Sequence, residues 1–503
     1  MAHRRQCSNG PDAGTFNLRT PIDWRHSLGK LEPWMEPRSL HYIAGACAGE
    51  LLRGSPAVSI LRVCTDSRKT QPGDVFFALR GDRFDGHDFL SDVSRRASAV
   101  VVSRGRALGN VGVCPVVEVD DTRLALGRLA AEYRKDFSPP VIAVGGSNGK
   151  TTTKELIAAV LRQKLVTLWS EASFNNNIGV PLTLLHLQRT HQVAVLEAGT
   201  NHPGELEPLL RMIRPRYGVL TSIGREHLEF FGDLEGVARE EGWLAELLPA
   251  AGKLFINGDT AWTNGVIGRA SAAVVRVGLA ASNDWRASAI RLSRQGMTFH
   301  VEGPNPEFTG DYRIQLLGRH QAINALFAVA LGAEFGLSRG EVERGLTQCQ
   351  PARMRLQLWE SNGVRILDDA YNANADSMLT ALETLQALPC KGRRVAVLGD
   401  MAELGAHSEA AHEEVGRRAA ELGIAQLFAV GKMAPTLARG ARSAGLNRVL
   451  EFADVEAAAA AVRQFVREGD VLLLKASRAS RLERIADGLR GVAAWGRTEC
   501  CTI

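Results

Sequence analysis

Val144-Gly145-Gly146-Ser147-Asn148-Gly149-Lys150-Thr151-Thr152-Thr153 is the stretch that decides the fold. The apolar run Val141-Ile142-Ala143-Val144 leads into it and a segment of helical spacing leads out, so it reads as the turn between a parallel strand and a helix. Glycines let backbone N–H groups turn inward around phosphate oxygens, and the start of the helix adds its positive dipole end. Lys150 would reach the β- and γ-phosphates of a nucleotide, and the Thr151 hydroxyl would sit on Mg²⁺. The generic loop carries glycine six residues before its lysine; here that residue is Val144, so this is the shorter Gly-x-x-Gly-Lys-Thr form. Gly146, Ser147, Asn148, Gly149 and Thr152 complete the expected ATP cradle. The competing reading is a glycine-rich turn with no ligand.

Outward from this turn the chain divides into an irregular extension (1–36) and three units (37–139, 140–350 and 351–503). The first has short apolar runs at Ala57–Val63, Asp74–Ala78, Ala99–Val102 and Pro115–Val117, then helical spacing from Thr122 to Phe137 and a Ser138-Pro139-Pro140 linker. In the second, Val193–Leu196 and Tyr217–Thr221 alternate with helix-like stretches as in a wound parallel sheet, and 285–316 predicts attached antiparallel strands. The third repeats strand then helix, with strands expected at Arg394–Leu398, Gln426–Val430, Arg448–Phe452 and Val471–Leu474. The expected fold class is α/β: a small first domain, a central parallel-sheet ATPase domain and a doubly wound, Rossmann-like third.

Composition agrees. The 503 residues, 45% hydrophobic and 23% charged, exclude wholesale disorder and suggest about three domains. A net charge of +5 is too small for a nucleic-acid binder, and no apolar run reaches the ~18 residues that would span a bilayer. The opening MAHRRQCSNGPDAGTFNLRTPIDWRHS is basic but lacks the apolar segment of a secretory signal. The eight cysteines are scattered without a CxxC pair, which reads as reduced thiols in a cytoplasmic protein. A monomer is expected.

Further chemistry gathers at strand ends. Glu197, in Leu196-Glu197-Ala198-Gly199-Thr200-Asn201-His202, stands where an open α/β sheet places a metal ligand. His227, in Ser222-Ile223-Gly224-Arg225-Glu226-His227-Leu228-Glu229, could ligate a metal or be a hydrogen-bonded structural histidine. In the third unit, Asp368-Asp369-Ala370-Tyr371-Asn372-Ala373-Asn374 suits ribose hydroxyls or a peptide, although Asx-rich loops are also plain turns. Gly399-Asp400-Met401-Ala402-Glu403-Leu404-Gly405 and Lys475-Ala476-Ser477-Arg478 end two more strands. Open parallel sheets bind ligands at that edge.

The order of these motifs resembles the Mur ligase family over about residues 40–490. Thr65-Asp66-Ser67-Arg68, Gly73–Leu79 and Asp85-Gly86-His87-Asp88-Phe89 are similar to the family's uridine-nucleotide-binding domain. The phosphate loop, Asn175-Asn176-Asn177-Ile178-Gly179 and the Glu197 strand end match its ATPase domain, and Gly318-Arg319-His320-Gln321-Ala322-Ile323-Asn324 resembles the adenine-contacting helix start. The Asp369–Asn374 and Gly399–Gly405 loops look like the branch that adds D-alanyl-D-alanine to a UDP-N-acetylmuramoyl-tripeptide. The resemblance implies ATP and Mg²⁺, an acyl-phosphate intermediate, and a role in peptidoglycan precursor synthesis. By carry-over, Lys150, Glu197 and His227 are catalytic and Thr151, Glu197 and His227 hold metal; Glu241, where the chain departs from the family, is expected to join both groups. Asn324 contacts adenine, Asp369 ribose, and Arg353 phosphate across a domain cleft. Thr65, Ser67, Arg68, Asn175, Asn176, Asn372, Asn374, Ser477 and Arg478 are the expected substrate contacts.

One departure stands out. Related ligases commonly carry a carbamylated lysine about fourteen residues after the His227 equivalent, as a negative ligand for a second Mg²⁺. Here the region reads Ala238-Arg239-Glu240-Glu241-Gly242, and no lysine lies between Lys164 and Lys253. Glu241 is expected to supply that charge without CO₂; the competing reading is a solvated helix residue. Rival functions are the sister ligase adding the third peptide residue, a folylpolyglutamate synthase, or a non-catalytic nucleotide-binding regulator.

Overall fold

The computed structural model describes residues 35–491, apart from 82, 83, 107, 110 and 294. Of the expected irregular extension, Met35 and Glu36 alone fall within that range. Met35 is buried, and the Glu36 N–H donates to the Tyr133 hydroxyl at 2.8 Å.

In the first domain, Arg62–Cys64, Asp74–Phe77, Ala99–Ser103 and Val116–Val119 are parallel neighbours, and Glu50–Arg53 closes the sheet antiparallel to the last. Val75, Phe76, Phe77 and Ala99 to Val102 are all buried, because a sheet covered on both faces needs apolar side chains at successive positions. Asp121 caps the helix Thr122–Arg134 by accepting from the Leu124 N–H at 2.8 Å. That helix ties the domain to the next: Tyr133 donates to the Leu187 carbonyl, and the Arg134 guanidinium to the carbonyls of Ile213, Phe137 and Pro139.

The central domain is built on a nine-stranded sheet. Strand β1 (Val141–Gly145) lies between β2 (Val193–Glu197) and β3 (Tyr217–Leu220), all parallel. Thr167–Trp169 flanks β2; Lys253–Asn257 and Ala273–Gly278 extend the other side, followed by the predicted antiparallel strands Trp285–Ser293, Gly296–Glu302 and Gly310–Ile314. After β1 the chain visits one side of the sheet and then crosses to the other for β3, so a topological switch point lies at the C-terminal end of β1. Helix α1 (Lys150–Leu161) leaves from that point; α2 (Leu228–Phe231) and α3 (Leu234–Glu241) follow β3, and α4 (His320–Glu334) packs on α1.

The third domain is a six-stranded sheet in which β4 (Val364–Asp368), β5 (Arg394–Gly399) and β6 (Val471–Lys475) run parallel in the order β4-β6-β5. Gln426–Val430 and Val449–Phe452 continue it, while Gln357–Ser361 pairs antiparallel at the other edge. Helices α5 (Ala375–Ala387) and α6 (Ser408–Glu421) follow β4 and β5. The α/β class expected from sequence holds in each domain.

Candidate active site

The phosphate loop owes its shape to two close approaches. Gly146 and Gly149 have φ of +108° and +87°. A Cβ on Gly146 would lie 2.5 Å from Thr221 Oγ1, and one on Gly149 would lie 2.8 Å from Asn324 Oδ1. The strand end of β3 pins the loop: Ser147 N–H donates to the Ser222 carbonyl at 2.9 Å, Asn148 N–H to Ser222 Oγ at 3.0 Å, and Gly224 N–H to Ser147 Oγ at 2.8 Å. The first turn of α1, from Lys150 through Thr152, presents N–H groups that have no carbonyl one turn earlier and are available to an anion.

Four charged groups surround this loop. Lys150 Nζ donates to the Gly146 carbonyl at 2.5 Å and stands 3.4 Å from Glu226 Oε2. Burial opposes its charge, but Glu226, Glu241 and Glu197 outweigh that and hold its pKa above the ordinary lysine value. Glu241, at the end of α3, accepts from the Gly146 N–H at 2.7 Å. Burial pushes its carboxyl up to about 8, opposed by Lys150 and reinforced by the charge of Glu226. Glu197, at the end of β2, accepts from Asn175 Nδ2 at 2.8 Å.

Glu197 Oε2, Glu226 Oε1 and Glu241 Oε1 are all buried without a hydrogen-bond partner. Orphaned carboxylate oxygens around a lysine and a phosphate loop fit a hard divalent cation. Among the described residues no three His, Cys, Asp or Glu side chains already form a cage. A hard divalent cation such as Mg²⁺ needs only one or two carboxylates when phosphates and water complete its shell.

His227 completes the cluster. It has a left-handed backbone (φ +48°), its Nδ1 is hydrogen-bonded to Glu403 Oε2 of the third domain, and its Nε2 lies 4.0 Å from Glu226 Oε2. The third domain is docked onto this edge by other contacts as well. Arg225 donates from its backbone N–H and its Nε to Asp376, each at 2.7 Å, and from Nη1 to Glu414 at 2.6 Å. Asn374 Nδ2 donates to Asn148 Oδ1 at 3.0 Å, and His407 Nε2 meets the Gly232 carbonyl at 2.9 Å.

Several expected contacts are committed elsewhere. Asn324 lies against Gly149 and donates to Gln321 Oε1 at 2.8 Å, which supports the phosphate loop. Asn176 accepts from the N–H groups of Ile178 and Gly179, and Asn374 caps α5 in a capping box with Ser377. These are helix-start roles that use the amide oxygens expected for substrate. Asp369 receives the buried Lys475 Nζ at 2.5 Å and the Leu356 N–H at 3.1 Å, which makes it an internal strut first. Asn372 is exposed and its carbonyl accepts from Lys475 at 3.1 Å. Ser477 Oγ is buried without a partner, Arg478 pairs with Glu483 at 2.9 Å, and Arg353 is exposed.

In the first domain, Asp66 caps the turn Ser67–Lys69 and binds the Arg68 guanidinium at 2.9 Å; Thr65 is half-buried beside it. A cavity of about 550 Å³ in this domain is lined by Arg80, Gly81, His87, Ser103, Arg106, Asp121, Thr122 and Arg123. Its three arginines suit a phosphate-bearing ligand. The neighbouring Asp85–Phe89 motif reaches this cavity through His87, but no local pattern marks its arginines. Glu226 and Glu403 likewise lie inside the Ser222–Glu229 and Gly399–Gly405 motifs with no local signal of a role.

Comparison with known proteins agrees with this geometry. The family model described as Mur ligase middle domain matches residues 144–332, Mur ligase, glutamate ligase domain matches 354–478, and Mur ligase family, catalytic domain matches 59–134. The chain is 38% identical to the UDP-N-acetylmuramoyl-tripeptide–D-alanyl-D-alanine ligase of Escherichia coli K12 over 443 residues, which is 86% of this chain and 94% of that one. Among solved structures, MurF from Acinetobacter baumannii superposes with a TM-score of 0.82 at 30% identity, covering 91% of this chain and 99% of its own. MurF ligase from Thermotoga maritima in complex with ADP superposes at 0.74 and 26% identity, covering 86% and 97%.

Proposed function

We propose that this chain, which belongs to the Mur ligase family, joins D-alanyl-D-alanine to UDP-N-acetylmuramoyl-tripeptide in a reaction driven by ATP. The observation that carries the reading is the likeness to the E. coli ligase across 94% of its length, in a chain whose phosphate loop, lysine and buried carboxylates meet at one sheet edge.

The tripeptide's free carboxylate attacks the γ-phosphorus of ATP, giving an acyl phosphate and ADP. The amine of D-Ala-D-Ala then attacks that carbonyl, phosphate leaves with the bonding pair, and an amide forms once the nitrogen has lost its protons. The first step brings two anions together, so positive charge must be in place beforehand. Lys150 Nζ, charged and tethered to the Gly146 carbonyl, is within a side-chain rotation of the phosphates that the loop N–H groups would hold. Thr151, Glu197, His227 and Glu241 would hold Mg²⁺, and Glu226 offers a further oxygen. When bound, that ion supplies charge neutralisation between the carboxylate and the phosphoryl oxygens. Glu241 stands where related ligases use a carbamylated lysine, and a bound cation would hold its buried carboxyl in the charged form.

The arginine-lined cavity of the first domain takes the diphosphate of the UDP substrate, and Arg353 reaches phosphate across the domain cleft. Domain boundaries near 139 and 350 and a monomeric state are part of the same proposal. No helix among the described residues is long and apolar enough to cross a membrane. The use of ATP and a UDP-linked precursor supports a cytoplasmic reaction.

The test is phosphate release with ATP, Mg²⁺ and UDP-N-acetylmuramoyl-tripeptide, with and without D-Ala-D-Ala, using Lys150→Ala as the blank. A parallel arm pairs diaminopimelate with the dipeptide precursor. Release that requires D-Ala-D-Ala supports the proposal. Release only in the diaminopimelate arm makes this the sister ligase, and release in neither contradicts a ligase.

A further inference from the structure

Two residues with left-handed backbones meet across the boundary between the central and third domains. His227 (φ +48°) precedes α2, and Glu403 (φ +59°) lies in the loop after β5. Side chains other than glycine adopt this conformation at a cost, and it persists where the surroundings impose it. Here the Glu229 N–H donates to the Glu403 carbonyl at 3.0 Å, while Met401 and Leu404 are buried beside it. The Glu403 carboxylate is thereby presented to His227 Nδ1 and bonded to it.

The bond fixes the chemistry of the ring. A carboxylate only accepts, so Nδ1 carries the proton and a neutral imidazole keeps its lone pair on Nε2. That nitrogen points into the phosphate-loop cluster, 4.0 Å from the Glu226 carboxylate, whose other oxygen is buried and unpartnered. Phe231 packs edge-on against the ring with centroids 6.4 Å apart, which limits its rotation. Docking of the third domain does not depend on this pair, because Arg225 is already held by Asp376 and Glu414.

We propose that Glu403 is the positioning residue of His227. It reaches over from the third domain to hold the histidine in the tautomer and orientation that ligate the divalent cation, so the metal site is complete only when that domain is docked. A carboxylate behind a histidine ligand fixes its tautomer and raises its basicity, and its loss typically weakens metal binding 10- to 100-fold. The inference rests on the reading of His227 as a metal ligand.

Mn²⁺ titration of the full chain with ADP, followed by electron paramagnetic resonance, separates the two ideas without recourse to turnover. Glu403→Ala should raise the Mn²⁺ dissociation constant by about 10-fold or more. Glu403→Gln, which keeps an accepting oxygen, should fall between that and wild type. Glu414→Ala, which removes the Arg225 ion pair of the same domain interface without touching the His227 side chain, should stay within about two-fold if docking alone is not the cause. Equal effects of Glu403→Ala and Glu414→Ala, or none from Glu403→Ala and Glu403→Gln, overturn the proposal. His227→Ala tells the failures apart: if it leaves Mn²⁺ binding unchanged, the ligand reading itself falls. If it weakens binding while the Glu403 variants do not, only the positioning role does.

Discussion

The Gly146 N–H donates to Glu241 Oε2 at 2.7 Å, although 95 positions separate the two residues. A loop built to give its N–H groups to phosphate thus gives one of them to a fixed carboxylate, whose second oxygen is buried and unpartnered. That placement supports the proposal that Glu241 stands in for the carbamylated lysine of related ligases.

Replacing Glu241 with Ala should therefore raise the Mg²⁺ concentration for half-maximal activity by about 10-fold and lower turnover, in the range for lost support of a metal site. Removing CO₂ and bicarbonate should leave the wild-type rate unchanged. Mg²⁺ titration at saturating ATP reads the first and degassed buffer the second; an unchanged Mg²⁺ profile in the variant removes Glu241 from the metal site.

Lys150→Ala removes the one cation inside the loop cluster described here. Loss of a preorganised charge on the transferring group predicts a fall of about 10²–10³ in kcat, or ~3–4 kcal/mol. ADP binding measured by calorimetry should weaken far less than kcat, because the loop N–H groups remain. Equal losses in both would mean that Lys150 only binds.

Gly149→Ala faces both a left-handed backbone and a Cβ 2.8 Å from Asn324 Oδ1. The backbone term is about 1–2 kcal/mol, and the clash adds to it. ATP affinity should drop at least ten-fold. Adding Asn324→Ala should recover the part due to the clash and leave the part due to strain, which calorimetry on the double variant resolves.

Burial pushes His320 down to about 4, with its Nδ1 shielded and unpartnered. The folded chain keeps this ring neutral, whereas the unfolded chain protonates it below about 6.5. Its contribution is therefore complete above pH 6.5 and is lost as pH falls toward 4. Between pH 7 and 5 this amounts to about 2 kcal/mol at ~1.4 kcal/mol per pH unit. Urea unfolding at both pH values should show a correspondingly flatter dependence for His320→Asn, and parallel slopes would refute the assignment.

The fold was legible where side chains encode it locally. The strand–turn–helix at Val141–Leu161, the antiparallel run from Trp285 and the strands of the third domain follow from apolar runs and spacing. Thr167–Trp169 and Gln357–Ser361 were not read, because an edge strand of three to five mixed residues carries no periodicity. Lys253–Asn257 and Ala273–Gly278 escaped for a related reason: a short apolar run does not by itself distinguish a strand from a buried helix turn.

In the site, Lys150, Glu197 and Glu241 could be named from their motifs, whereas Glu226 on Lys150 and Glu403 on His227 are contacts over 76 and 176 positions that only folding creates. Asn176 and Asn374 show why an Asn-rich loop is ambiguous: a helix cap and a substrate amide look alike in sequence, and both side chains here accept from N–H groups at a helix start.

The central claim is that ATP activates the tripeptide carboxylate and D-Ala-D-Ala intercepts it. With UDP-N-acetylmuramoyl-tripeptide labelled with ¹⁸O in its terminal carboxylate, turnover in the presence of D-Ala-D-Ala should move one carboxylate oxygen into the released phosphate, read by its mass. Phosphate free of label, with the amide product formed, would contradict the acyl-phosphate route and the arrangement of Lys150 and the buried carboxylates that supports it.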